Sequence, residues 1–517
     1  MKAHNACGRE IPESLPGFER IAAFAGAFGT SGGDGPDATG PRKRLGAAPP
    51  SKLLASVEEA IRRTGLESGM TVSFHHHFRE GDFVVNLVLD ACARLGIRGL
   101  TIAPSSLTGV HAPLVGHCRS GVVRRIYTSG LRGKLAEAVS AGLLAEPVVI
   151  HSHGGRARAV REGGISIDVA FLGVPSCDAA GNARGWTGKS ACGSLGYALV
   201  DAAAARKVVL LTDGLEDYPA LPASIGQDLV DYVVPVEAVG DPAGIGVGAT
   251  RLPRDPRELL IARSTVAAIE AAGVIRPGFS FQMGSGGSSL AAVRFLRERM
   301  RELGVKASFA LGGITSQAAE MLDEGLVGAL FDVQSFDAEA SRSMARNPRH
   351  FEISASAYAD PSAKGAAVDF LDVVILSALE VDEAFNVNVI TGSDGVIRGA
   401  SGGHSDTAAG AALSIVVAPL VRGRTASVVR AVDTIVTPGS TVDLLVTDRG
   451  MAANPRRPDL AAALRAARLP LLDIGELREA AERITGVPDP LPKGDRVVGL
   501  VEYRDGTAID VIREVRR

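Results

Sequence analysis

Residues 71–103 read TVSFHHHFREGDFVVNLVLDACARLGIRGLTIA, and their pattern decides the fold class. Thr71 to Phe74 is a short strand. Asp82 can cap a helical run in which Val84, Leu87, Val88, Ala91 and Leu95 form one face, and Gly96 ends that run before the strand Leu100 to Ala103. The chain therefore alternates strand and helix. Upstream, Leu53, Leu54, Val57 and Ile61 recur at helical spacing and Gly65 and Gly69 punctuate. Downstream, apolar runs at Val148 to Ile150, Val169 to Leu172, Val208 to Leu211 and Tyr232 to Val236 suit parallel strands covered on both faces.

These elements place a first α/β domain at about 51–255. A helix over Glu258 to Ala272 leads to a second series: strand Phe279 to Met283, helix Ser289 to Leu303 and strand Ala307 to Leu311. Further strands follow near Val373, Val387, Ile415, Val429 and Leu444, so a second α/β domain spans about 275–517. Residues 1–50 form an N-terminal arm, irregular from about Phe28 to Pro50 because Gly, Pro, Asp and basic residues dominate there. The expected fold is two open, mostly parallel α/β halves, consistent with an ancient duplication.

Composition narrows the function. The 517 residues are 46% hydrophobic and 22% charged, enough to bury large cores, while 61 Gly and 27 Pro favour many tight loops. A formal charge of -3, with no long like-signed block, argues against a nucleic-acid or membrane footprint. The five cysteines, Cys7, Cys92, Cys118, Cys177 and Cys192, lack the paired short spacings of zinc sites or disulfide frameworks. With no signal-like N-terminus and no run of about 20 apolar residues, a cytoplasmic protein is expected.

Several motifs could carry chemistry. Gly284-Ser285-Gly286-Gly287-Ser288 follows a strand and precedes a helix, where free amides favour anions; a purely structural turn fits equally well. In Gly399-Ala400-Ser401-Gly402-Gly403-His404-Ser405-Asp406 the amides of Gly402 and Gly403 could form an oxyanion hole, with His404 or Asp406 positioning a reacting group. The alternative is a connection whose Asp406 caps a helix Thr407 to Leu413. His75-His76-His77 would alternate faces on a strand, which disfavours a shared metal ion and suits an active-site wall; no metal site is expected. His151 and His153 would share a strand face without a third ligand. Arg156, Arg158 and Arg161 follow Gly154-Gly155 and could receive carboxylates or form a solvated helix face. Lys189 lacks the spacing of a phosphate loop, so ATP hydrolysis is not expected.

The sequence resembles citrate lyase alpha chains in several long motifs: Gly69 to Phe78, Ser152 to Ala159, Gly188 to Tyr197, Ala310 to Thr315, and Phe385 to Val389 followed by Thr391 to Gly395. The likeness runs from about Arg9 to the last hundred residues. At greater distance, Gly130 to Glu137, Gly181 to Ala183, Leu371 to Asp382 and Ser401 to Asp406 resemble the two halves of CoA transferases. The resemblance implies two CoA-transferase-like domains with the active site between them.

It also implies a reaction: citrate exchanges with the acetyl group of a thioester on a carrier protein's CoA-like phosphopantetheine arm, releasing acetate. A beta subunit then cleaves the citryl thioester to oxaloacetate, so the implied partners are the beta and gamma (acyl-carrier) subunits in an oligomeric assembly. No cofactor would be covalently bound to this chain, and acetyl-CoA could replace the acetylated carrier. Such a site needs an oxyanion hole, cations for citrate and a channel for the arm. Gly402 and Gly403 would stabilise the oxyanion, and His404 and Asp406 would orient the acyl group. Gly284, Gly286 and Gly287 would border the arm, and Arg156, Arg158 and Lys189 would bind citrate carboxylates. Many CoA transferases use a glutamate nucleophile, and the nearest aligned acid, Glu380, sits in an apolar run that suits a structural role. Citrate lyase alpha chains resemble a subgroup transferring through a mixed anhydride, so no covalent nucleophile is assigned. A free-standing CoA-transferase or acyl-CoA hydrolase and a non-catalytic sensing or assembly module are the alternatives.

Overall fold

The computed structural model describes residues 2–17, 19–24, 51–246, 255–284, 286–487 and 491–515. It divides into two compact units, 1–53 and 54–517. In the short unit Lys2–His4 pairs antiparallel with Glu10–Pro12, so the arm begins with a strand pair. The irregular stretch expected from Phe28 to Pro50 lies outside the described residues.

The larger unit is built on two sheets. The first runs, edge to edge, Tyr232–Pro235, Lys207–Thr212, Val169–Val174, Thr71–Phe74, Leu100–Pro104, Val123–Thr128, Val148–Ile150, Lys493–Glu502 and Ala508–Val515. All neighbours are parallel except the last pair. The second runs His350–Glu352, Val327–Ser335, Ala307–Ile314, Ser280–Met283, Val373–Ser377, Leu413–Val417, Leu444–Thr447 and Gly450–Ala453, again parallel except at its last edge. Apolar runs become parallel strands because both faces are covered. Val373 and Ile375 enter one buried cluster while Val374 and Leu376 enter another on the opposite face, and Leu444, Leu445 and Val446 divide the same way.

Sequence places residues 493–515 with the second α/β domain. The hairpin 493–515 joins the first sheet, Gly499 pairing with Val148 and Val501 with Ile150. Its residues are largely half-buried or exposed, with few fully buried, a pattern that does not reveal which sheet the hairpin joins. Two local expectations also change. The strand before the histidines ends at Phe74 and the strand before His151 ends at Ile150, so all these histidines sit beyond strand ends. The helix expected at Thr407 to Leu413 spans His404–Gly410, and Leu413 starts a strand; Asp406 is inside the first turn instead of capping it.

The halves meet through buried polar contacts. Ser194 Oγ donates to the Asp332 carbonyl at 2.8 Å, and the Leu195 N–H donates to Glu352 Oε1 at 2.5 Å. Burial pushes the Glu352 carboxyl up to about 7. An acid whose folded pKa is raised favours the fold while protonated, and that contribution is lost as pH rises from about 4.5 through 7. Glu352→Gln is therefore expected to raise the melting temperature relative to the parent at pH 8 and to gain least at pH 5, measured by thermal unfolding at both values.

Candidate active site

The carboxyl ends of both sheets' parallel strands face one cavity of about 460 Å³. This is the usual ligand position in open α/β sheets. From the first half come His76 after Thr71–Phe74, Ser106 after Leu100–Pro104, Ser129 after Val123–Thr128 and His153 after Val148–Ile150. From the second come Gln282, Gly284, Phe336, Ser377 and the loop 398–404.

Backbone pairing straps that loop to the first half. The Ser401 N–H donates to the Ser129 carbonyl at 2.8 Å, Leu131 N–H to Gly399, and His153 N–H to Gly402 at 2.8 Å. Gly402 has φ +56, a left-handed conformation that glycine adopts without strain. Its N–H and that of Gly403 have no acceptor among the described residues, so both remain available to a ligand at the cavity wall. A Cβ on Gly403 would lie 2.3 Å from the Tyr358 hydroxyl, which in turn accepts from Gln282 Nε2 at 2.9 Å.

Asp406 lies behind this loop, fully buried. Its carboxylate accepts from Ser152 Oγ at 2.8 Å and from the Gly154 N–H at 2.9 Å, both in the opening turn of helix His153–Arg161. Burial raises its pKa to about 6. It clamps the two halves and does not line the cavity. His404 does, with Nδ1 2.7 Å from Thr437 Oγ1, and burial takes its pKa down to about 4. Burial likewise lowers His153 to about 3 and His76 well below the usual imidazole range. His76 stacks on Tyr197 with ring centroids 4.7 Å apart and on His153 at 5.6 Å. These imidazoles are neutral at pH 7; of the run His75-His76-His77, only His76 is among the described cavity-lining residues.

The positive charge comes from arginines: Arg79, Arg132, Arg398 and Arg422 line the cavity, Arg398 ion-paired with Asp394 and Arg422 donating to the Ala378 carbonyl at 2.8 Å, and no Asp, Glu or Cys is among the described lining residues. Arg79 has φ 53 and its guanidinium sits 4.7 Å from the Phe336 ring centroid. Burial, with Arg132 nearby, lowers its pKa to about 10, so it stays charged at neutral pH. Its Nε and Ser129 Oγ, Gln282 Oε1 and His153 Nδ1 are buried without a partner among the described residues. Orphaned polar atoms concentrated around one cavity are what a polar ligand would satisfy.

Of the residues singled out from sequence, the structure brings Gly284, Gly402, Gly403 and His404 to the cavity. Arg156 is elsewhere: its Nη atoms hold Asp201 at 2.8 and 2.9 Å, and it is 2% exposed. Arg158 pairs with Glu162 at 2.6 Å, and Lys189 donates to the Glu237 carbonyl at 2.5 Å. Gly286 and Gly287 begin the helix Gly287–Leu303, packed near Ser377 and the Glu258 carboxylate respectively, and Ser285 lies outside the described residues. Glu380 is away from the cavity, accepting from Asn388 Nδ2 at 2.9 Å. The cavity arginines were not singled out from sequence as substrate cations. For Arg79 a signal existed: a cation just past a strand end, beside the histidine run.

The family model described as citrate lyase, alpha subunit, matches residues 50–515. The chain belongs to the citrate lyase alpha-subunit family. The citrate lyase alpha chain of Escherichia coli (strain K12) is 60% identical over 465 residues, covering 90% of this chain and 91% of that one. The Klebsiella pneumoniae chain is 58% identical at 90% and 92% coverage. A crystal structure of a Streptococcus mutans citrate lyase alpha subunit in complex with citrate superposes with TM-score 0.89 at 54% identity, covering 92% of this chain and 93% of that one. A 4-hydroxybutyrate CoA-transferase from Porphyromonas gingivalis, at 19% identity and TM-score 0.55 with 84% and 96% coverage, shares the fold. Family membership thus bears out the expected CoA-transferase-like architecture. The chain is a citrate CoA-transferase component of the citrate lyase type.

Proposed function

We propose that the cavity between the two sheets exchanges acetyl for citryl on a thioester. The reading rests on one observation above all: two free glycine amides and four arginines share a cavity whose described lining holds no carboxylate. In the first step a citrate carboxylate oxygen attacks the acetyl carbonyl carbon. The Gly402 and Gly403 N–H groups receive the developing oxyanion, the C–S bond breaks and the thiolate leaves, forming an acetyl–citryl anhydride. The thiolate then attacks the citryl carbonyl, and acetate departs with the bridging oxygen. Atoms balance without an enzyme-bound acyl group, which agrees with Glu380 lying away from the cavity.

The neutral imidazoles of His76, His153 and His404 suit orientation by hydrogen bonding, and the arginines suit the citrate carboxylates. Asp406 acts as a positioning residue for the oxyanion loop. The thioester arm is a substrate here, presented by an acyl-carrier subunit, with acetyl-CoA as its soluble stand-in; the citryl product passes to a beta subunit within an oligomeric complex. A cytoplasmic setting fits the free cysteines, three of them buried. No helix among the described residues is long and apolar enough to cross a membrane.

The test is transfer from acetyl-CoA to citrate by the purified chain, following citryl-CoA and acetate. Arg79→Met is expected to raise the KM for citrate by about 10- to 100-fold, the value of a charge-assisted hydrogen bond in a desolvated site, with a smaller change for acetyl-CoA. Equal losses for both substrates would remove Arg79 from carboxylate binding. Absence of citryl-CoA from both acetyl-CoA and acetylated carrier would overturn the reading.

A further inference from the structure

The cavity has an apolar annex that the transfer chemistry above does not use. A side pocket of about 20 Å³ lies between the carboxyl ends of Ser280–Met283 and Ala307–Ile314 and the helices Gly287–Leu303 and Ser316–Asp323. Met283, Gly284, Gly313 and Phe336 line both spaces, so the two adjoin at these residues, which would form the neck between them. Behind it the walls are mostly hydrocarbon, with Leu290, Val293, Ala310 and Ala318, and Thr315 is the one polar side chain among the described lining residues. About 10–15 Å³ holds one water-sized group, so this volume admits a methyl and little more.

Three constraints fix its size. The Phe336 ring rests on Gly313, where a Cβ would fall 2.2 Å from the ring. Arg79 from the first half covers the same ring. Val293 and Ala310 are each 3% exposed, so the back wall belongs to the packed core and cannot recede freely. The neck is also near the oxyanion loop: Gln282, beside Met283, reaches Gly403 through the single hydroxyl of Tyr358. Gly402, Gly403, Met283 and Gly284 line the same cavity, so a carbonyl carbon held at the two amides lies in the space that the annex adjoins.

Building on the proposed acyl exchange, we infer that this annex receives the methyl of the acetyl group and sets acyl-chain length, with Phe336 and Val293 as specificity-determining residues. Each added methylene has no space without displacing core side chains. A pocket of this kind discriminates by about 10- to 200-fold per methylene.

The purified full chain is assayed with acetyl-CoA, propionyl-CoA and butyryl-CoA as donors and citrate as acceptor, reading citryl-CoA formation and, in parallel, acyl-CoA binding and consumption. The wild type is expected to prefer acetyl over propionyl by about 10-fold or more and to use butyryl least. Val293→Ala should raise the propionyl-to-acetyl ratio of kcat/KM by about 10-fold. Phe336→Leu, which widens the neck without touching the core wall, should shift the ratio in the same direction should Val293→Ala fail to fold. Equal use of all three donors by the wild type, or an unchanged ratio in a folded Val293→Ala or Phe336→Leu protein, overturns the annex. Length-dependent binding or consumption without citryl-CoA leaves the annex standing and rejects citrate as acceptor. Neither binding nor consumption of any donor rejects both.

Discussion

Gly403→Val is expected to lower kcat for citryl-CoA formation by about 100- to 1000-fold while the protein remains folded, the loss typical of removing an oxyanion donor. Gly403 has φ -94, which any residue tolerates, so the effect is steric and local. Its Cβ would lie 2.3 Å from the Tyr358 hydroxyl and 3.2 Å from two ring carbons. Either Tyr358 moves, breaking its bond with Gln282, or the loop moves and carries the two free amides away from the reacting carbon. Gly403→Ala with Tyr358→Phe removes the closest contact and should recover part of the rate lost in Gly403→Ala alone. Steady-state kinetics with circular dichroism as a folding check measure both. A double variant no faster than the single one would show that Tyr358 is not the obstacle.

Arg156→Met is expected to cost about 3–5 kcal/mol of stability and to leave the citrate KM of the folded fraction within roughly 3-fold. Arg156 and Asp201 are both buried and joined by two hydrogen bonds, and Arg156 also donates to the Ala103 carbonyl at 2.6 Å. Removing the guanidinium leaves Asp201 as an unpaired buried charge, which dominates the loss. Adding Asp201→Asn should restore part of it, since pairwise removal spares the orphan. Denaturant unfolding gives the stability and initial rates give the KM. A large rise in citrate KM with little loss of stability would return Arg156 to the substrate.

The contrast between Arg156 and Arg79 shows what the sequence carried. Both follow strand ends in histidine-containing motifs, yet only Arg156 was singled out from the sequence as a cation for citrate. Their fates differ because Asp201, on a helix 45 positions later, turns inward against Arg156, whereas Arg79 meets Phe336 from the other half. Such pairings depend on tertiary contact between distant segments. The sheets were more legible, since continuous runs such as Val208 to Leu211 have one good solution, a parallel strand covered twice. The hairpin 493–515 was not, because an edge strand needs only one apolar face and fits either sheet. Within the site, the loop 402–404 could be read because free glycine amides ahead of a helix have a direct chemical use. Asp406 stands two residues beyond His404 yet faces away from the cavity: successive helical positions point about 100° apart, and Ser152 and Gly154 claim its carboxylate.

The most direct test of the account is a single turnover with acetyl-CoA and citrate bearing ¹⁸O in its carboxylates. The expected products are citryl-CoA and acetate carrying one ¹⁸O atom, because the attacking citrate oxygen bridges the anhydride and leaves with the acetyl group. Unlabelled acetate, or acetate without citryl-CoA, would contradict direct transfer within this cavity.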